Sequence, residues 1–136
     1  MAQQTPDAEA APDMQGYVDG MVQVLGRIAE DEALSRVLRI ATYRIEYVEE
    51  LGAVQARHLQ VHRQWLAHNR LALERAFAAS PHPAQVPPDM AALGLQVLIE
   101  GLLHSWLLDP GAFDLVQAGR STITTYLCGL GIRLRP

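Results

Sequence analysis

Residues 91–108 read AALGLQVLIEGLLHSWLL, a run with apolar side chains on every side of a helix and Gln96, Glu100 and His104 set into it one turn apart. The run is too long for a strand, and its polar members make it too polar for a membrane span. A helix that is apolar all round must be buried all round. Leu93, Val97 and Leu107 mark one side together with the three polar residues, and Leu95, Leu98, Leu102 and Trp106 cover the other. In a domain of only five helices, two such faces call for a partner chain, with ordinary core packing within a monomer as the alternative.

The punctuation on either side of this helix sets the rest of the architecture. Pro87-Pro88-Asp89 opens it and Asp109-Pro110-Gly111 ends it. Upstream, Pro12 and Asp13 start a first helix in which Met14, Tyr17, Val18, Met21, Leu25 and Ile28 recur at helical spacing. Asp31 and Glu32 start a second, with negative charge at the positive end of its dipole and a stripe of Leu34, Val37, Leu38, Ala41 and Ile45. The stripe loses phase around Tyr47 to Gly52, which predicts a short break. A long third helix then runs through Val54, Val61, Trp65, Leu66, Leu73 and Phe77 to about Ala79, where Ser80-Pro81-His82-Pro83 stops it. A last helix is expected over about Phe113 to Leu134.

No run alternates at period two for long enough to be a strand, and no solenoid repeat is present. The expected fold is all-α, a five-helix antiparallel bundle. Residues 1–12 are expected to be a flexible lead-in or the end of a linker, and 13–136 a single ligand-binding and dimerisation domain. The last two helices carry the dimer expectation: Leu95, Leu98, Leu102 and Trp106 on one, Val116, Ile123, Tyr126, Leu127 and Leu130 on the other, forming a four-helix bundle across a two-fold axis.

Composition narrows the function. The 136 residues are 49% hydrophobic and only 19% charged, with a net charge of −4. There is no Lys and no basic run longer than two residues, so a face that tracks nucleic-acid phosphates is not expected in this chain. The polar first ten residues lack the pattern of a signal peptide, and Cys128 is alone, so a cytoplasmic setting without disulfides is expected. Within its apolar run, Cys128 reads as an inert small hydrophobe. Ser35, Ser80, Ser105 and Ser121 lack a nucleophile-elbow context and there is no glycine-rich phosphate loop, so neither an enzyme nor a cofactor is expected.

The candidate site lies where polar residues interrupt apolar faces. On the third helix His58, His62, Trp65 and Asn69 share one face; on the fourth, Gln96, Glu100 and His104 share another. Where those faces meet, convergent hydrogen-bonding groups with apolar walls suit a small-molecule ligand. Met21, Val24, Leu38 and Thr42 supply further walls. A carboxylate in the most apolar helix needs a partner, and His104 one turn on is the expected one, whether the pair is structural or also meets a ligand. His68 and His82 read as solvated or satisfied structural residues. The two spaced pairs His58/His62 and Glu100/His104 also allow a metal-sensing variant, although no Cys or Asp completes a ligand set.

Two stretches, RVLRIATYRIEYVEEL (36–51) and IEGLLHSWLLDPGAFDL (99–115), carry a resemblance to a known family. From about Asp31 to Leu134 the chain resembles the C-terminal effector-binding and dimerisation domain of TetR/AcrR-type transcriptional repressors, in particular their multidrug-efflux branch. The second stretch holds the Gly-Leu, Trp-Leu, Pro and Phe-Asp-Leu of that branch in order, whereas Ile45-Glu46 replaces its usual Cys-Glu. The resemblance implies a homodimer built on the last two helices and a pocket for small hydrophobic effectors. The pocket would be lined by Met21, Val24, Leu38, Thr42, His58, His62, Trp65, Asn69, Gln96, Ile99, Glu100 and His104. In an intact repressor such a domain would control an efflux or related operon, with DNA met only through an N-terminal helix-turn-helix outside this chain. A freestanding protein that forms heterodimers with repressor subunits is the alternative, beside the metal-sensing variant.

Overall fold

A computed structural model describes residues 14–43 and 52–134 of the chain. Among them are five helices and no strand: α1 (Met14–Glu30), α2 (Glu32–Tyr43), α3 (Gly52–Ala79), α4 (Pro88–Leu108) and α5 (Leu115–Gly129). The all-α expectation holds, and the proline punctuation falls where the helices change. The lead-in over 1–12, Ile45-Glu46 and all of the expected break except Gly52, which opens α3, lie outside the described residues.

Local chemistry explains the junction of α1 with α2, both ends of α4 and the start of α5. Asp31 alone joins α1 to α2; its Oδ1 accepts from the Leu34 N–H at 3.0 Å, capping α2. One residue on from that N–H, the Ser35 hydroxyl donates to the Ile28 carbonyl at 2.7 Å and closes the corner. Pro88 opens α4, where a missing N–H costs nothing, and Asp89 lies in the first turn. The far end of α4 has no basic residue of its own. Arg39 of α2 supplies one, donating from Nε to the Leu107 carbonyl at 3.1 Å and satisfying an orphan acceptor at the negative end of the dipole. Asp114 caps α5, its Oδ1 accepting from Gln117 N–H at 2.8 Å.

The last helix ends five residues short of the expected Leu134. Gly131 adopts φ +89°, the left-handed conformation that costs glycine little. Its N–H then bonds the Cys128 carbonyl at 3.0 Å, and Ile132 N–H bonds Leu127 O at 3.1 Å. This pair of reversed bonds stops the helix and folds Ile132 back into the core.

In the packed bundle α4 lies between α3 and α5, α1 runs along α5, and α2 touches α1, α3 and α4. Val18, Leu25, Leu73, Leu95, Leu115, Ile123 and Leu127 are fully buried at its centre. Each such aliphatic side chain contributes roughly 1.5–3 kcal/mol of burial. Gly119 permits the α1–α5 approach, since a Cβ there would collide with Leu25 Cδ1. Gly94 likewise makes room on α4 for Tyr126, whose hydroxyl donates to the Ala91 carbonyl at 2.8 Å.

The faces of two helices run opposite to expectation. Leu95, Ile123 and Leu127 are fully buried and Trp106 is 9% exposed, all within this chain's own core, so they are not on an outward face. Leu98, Leu102, Val116, Tyr126 and Leu130 are half-buried against the same core. The outward residues of α4 are Met90, Leu93, Val97 and Leu108. Periodicity alone cannot orient a helix that is apolar all round, which is why the two sides were interchangeable in the sequence. On α2, Leu34 and Val37 are exposed and Ser35 is buried, because the inward turn is taken by the Ser35–Ile28 corner. By length and composition α4 would also suffice to cross a membrane, contrary to the reading of it as too polar.

Candidate functional site

α4 is flanked by α3 over much of its length, and the polar residues of the two helices meet there. They form one continuous string that starts on α1. The Tyr17 hydroxyl donates to Asn69 Oδ1 at 2.5 Å. Asn69 Nδ2 donates to Gln96 Oε1 at 2.8 Å, and Gln96 Nε2 donates to Glu100 Oε2 at 3.2 Å. The same Glu100 oxygen accepts from Nδ1 of His62. Every donor therefore points along the string toward the carboxylate, which closes it from both sides.

Burial falls along this string. Asn69 is fully buried, and Tyr17 and Gln96 are 5% and 6% exposed, yet each amide has a partner on either side. At the other end the side chains of His62 and Glu100 are 31% and 42% exposed. The interior thus holds neutral amides and a phenol, while the one formal charge sits where water reaches it, which limits its desolvation cost. Burial pushes the Tyr17 hydroxyl well above its ordinary value, keeping it a donor. Tyr126 is raised for the same reason.

Of the expected site residues, His62, Asn69, Gln96 and Glu100 are brought into direct contact. Glu100, for which His104 was the expected partner, is bonded to His62 on the neighbouring helix and to Gln96 one turn back on its own. His58 and His104 are exposed at the margins. Val24, Leu38, Trp65 and Ile99 are half-buried against the core, and Met21 is buried within it. The side chain of Thr42 lies outside the described ones. The metal-sensing set does not gather: among the described residues no three His, Cys, Asp or Glu side chains converge.

Sequence reasoning missed Tyr17, which the helical stripe counted as one more apolar position. It also took His68 as solvated or satisfied. The His68 ring stands edge-on to Trp65, centroids 6.1 Å apart, and its buried Nδ1 has no hydrogen-bond partner among the described residues. Cys128 is exposed and lines a cleft of about 220 Å³ with Phe77, Ser80, His82 and Ile132, beyond the end of α5.

Comparison with known proteins identifies the family. The model described as MAATS-type transcriptional repressor, C-terminal region, matches residues 14–131. This helical bundle is accordingly a domain of the class found at the C-terminal side of transcriptional regulators. The chain belongs to that family, TetR_C_2, as the resemblance in residues 36–51 and 99–115 implied. It is also similar to the HTH-type transcriptional regulator AcrR of Shigella flexneri, 24% identical over 107 residues, which cover 79% of this chain and 50% of that protein. The chain spans about half the length of the curated relative it matches. No solved structure matches. The family is one of transcriptional regulators, not of enzymes.

Proposed function

We propose that this chain is the effector-binding and dimerisation domain of a TetR-type transcriptional repressor. It senses a small hydrophobic compound and, in the intact cytoplasmic protein, controls an efflux or related operon. The observation that carries the reading is the polar string of α1, α3 and α4, which rises from a fully buried Asn69 to the half-exposed His62 and Glu100. A bundle needing only stability would fill those positions with apolar side chains. Amides buried in a fully partnered line hold the exposed pair in a fixed place, as a binding site requires. Trp65, Ile99 and Leu38, half-buried against the core, are the apolar surface this reading assigns to the ligand.

The homodimer uses the outer face of α4. Met90, Leu93, Val97, Gly101 and Leu108 follow spacings of three, four, four and seven, one stripe down a helix. Four of the five are large exposed apolar side chains, and a stripe of this kind marks an interface. Neighbouring Ser121 and Thr125 of α5 are exposed and small enough to admit a second helix pair. The same face also serves the heterodimer reading. The chain itself binds no nucleic acid and sits in no membrane; the apolar length of α4 is accounted for by its two packed sides and the dimer stripe.

Effector binding is tested by titrating the full chain, with Trp106→Phe so that Trp65 alone reports, with naphthalene. Saturable quenching that Ile99→Asp abolishes is expected. Quenching without saturation, or indifferent to Ile99, sinks the reading.

A further inference from the structure

We infer that His62 and Glu100 form a dyad that recognises a weakly acidic hydroxyl, a phenol, on the ligand of this site. The inference rests on the effector reading above and adds the chemistry of the ligand to it.

A carboxylate can only accept, so the His62 nitrogen bonded to Glu100, Nδ1, carries a proton. Glu100 is not free to turn away, because Gln96 Nε2 holds the same oxygen at 3.2 Å. Gln96 is held by Asn69, and Asn69 by the buried hydroxyl of Tyr17. The orientation of the imidazole is thus set from the core outward. Such an arrangement selects the tautomer whose Nε2, on the opposite edge of the ring, carries the free lone pair and can accept. The His62 side chain keeps 31% of its surface exposed, so a ligand can approach it.

The ligand class follows from what Nε2 can accept and what Glu100 repels. An anion is disfavoured by the carboxylate, and an aliphatic alcohol is a weaker donor than a phenol. A phenol arrives neutral and donates strongly. Its proton is shared with Nε2 or passes to it, breaking O–H and forming N–H. The imidazolium then lies between phenolate and Glu100, with no further reactant needed. The aromatic body of the ligand meets Trp65 and Ile99, each half-buried beside the dyad in sequence. A metal ion at Nε2 is the poorer occupant, because no third ligand converges there among the described residues.

The test compares para-nitrophenol with its methyl ether, para-nitroanisole, on the full chain. The two match in shape, but only the phenol has the proton. The phenol should bind about tenfold tighter, the effect of one hydrogen bond to a charge-backed partner. His62→Phe should abolish the preference, so that the two probes bind alike. Glu100→Gln, which keeps an acceptor for Nδ1 but removes the charge, should shift the bound probe from its phenolate spectrum toward that of the phenol. Equal affinity of the wild type for both probes overturns the dyad while leaving an apolar effector site standing, and needs no variant to fold. Binding of neither overturns both readings together.

Discussion

Neighbouring positions on α4 present opposite environments. Gln96 is 6% exposed and Val97 is 58% exposed. The side of α4 that faces α3 carries Gln96 and Glu100, and the side that faces outward carries Met90, Leu93, Val97 and Leu108. This inverts the ordinary rule of apolar inside and polar outside. A buried polar line is tolerated only when every member is paired, as it is between Tyr17 and His62. An exposed apolar stripe is tolerated when a partner covers it. The two faces therefore report two different tasks of one helix, and each can be broken separately.

The largest effect belongs to neither task. Leu95→Ala empties a fully buried position on neither face and should cost about 3 kcal/mol in urea unfolding. Val97→Ala, two residues on, should leave the stability of the folded monomer within about 0.5 kcal/mol. Equal losses at the two positions would erase the contrast. Next comes the polar line itself. Asn69→Leu removes the partner of both the Tyr17 hydroxyl and Gln96 Oε1, and should cost about 2 kcal/mol despite the added apolar surface. A stabilised variant would show that the line is dispensable.

A smaller loss, about 1 kcal/mol, is expected of Gly131→Ala, because a Cβ is strained at φ +89°. Fraying of the end of α5 in hydrogen exchange checks it. The smallest effect concerns alkali. Since burial raises the Tyr17 hydroxyl, its contribution is complete below the ordinary phenol value of about 10 and is lost as pH climbs from there toward the folded value. Tyr17→Phe should flatten that fall in stability; an unchanged slope in pH-dependent melting would assign it to other groups.

The difference between the two faces also explains what could be read from residues alone. Breaks at Pro81, Pro83, Pro88 and Pro110 were legible because proline acts locally. The end of α5 was not found at Gly129, though Gly131 was the available signal: glycine just past a helix is the usual left-handed stop. The burial of Leu95, Ile123 and Leu127 was not legible, since side chains on all sides of a helix look alike until its neighbours are placed. For the site, the spacing of His62 with Asn69 and of Gln96 with Glu100 put the right groups on the right faces. Spacing says nothing about partners on other helices, so neither the bond from His62 to Glu100 nor the place of Tyr17 in the line is legible in it.

Sedimentation equilibrium of the full chain at low micromolar concentration tests most directly whether the outer stripe of α4 is covered by a second copy. The wild type should sediment as a dimer, and Val97→Glu as a folded monomer with the helix content of the wild type. A wild type that remains monomeric at that concentration would contradict the account.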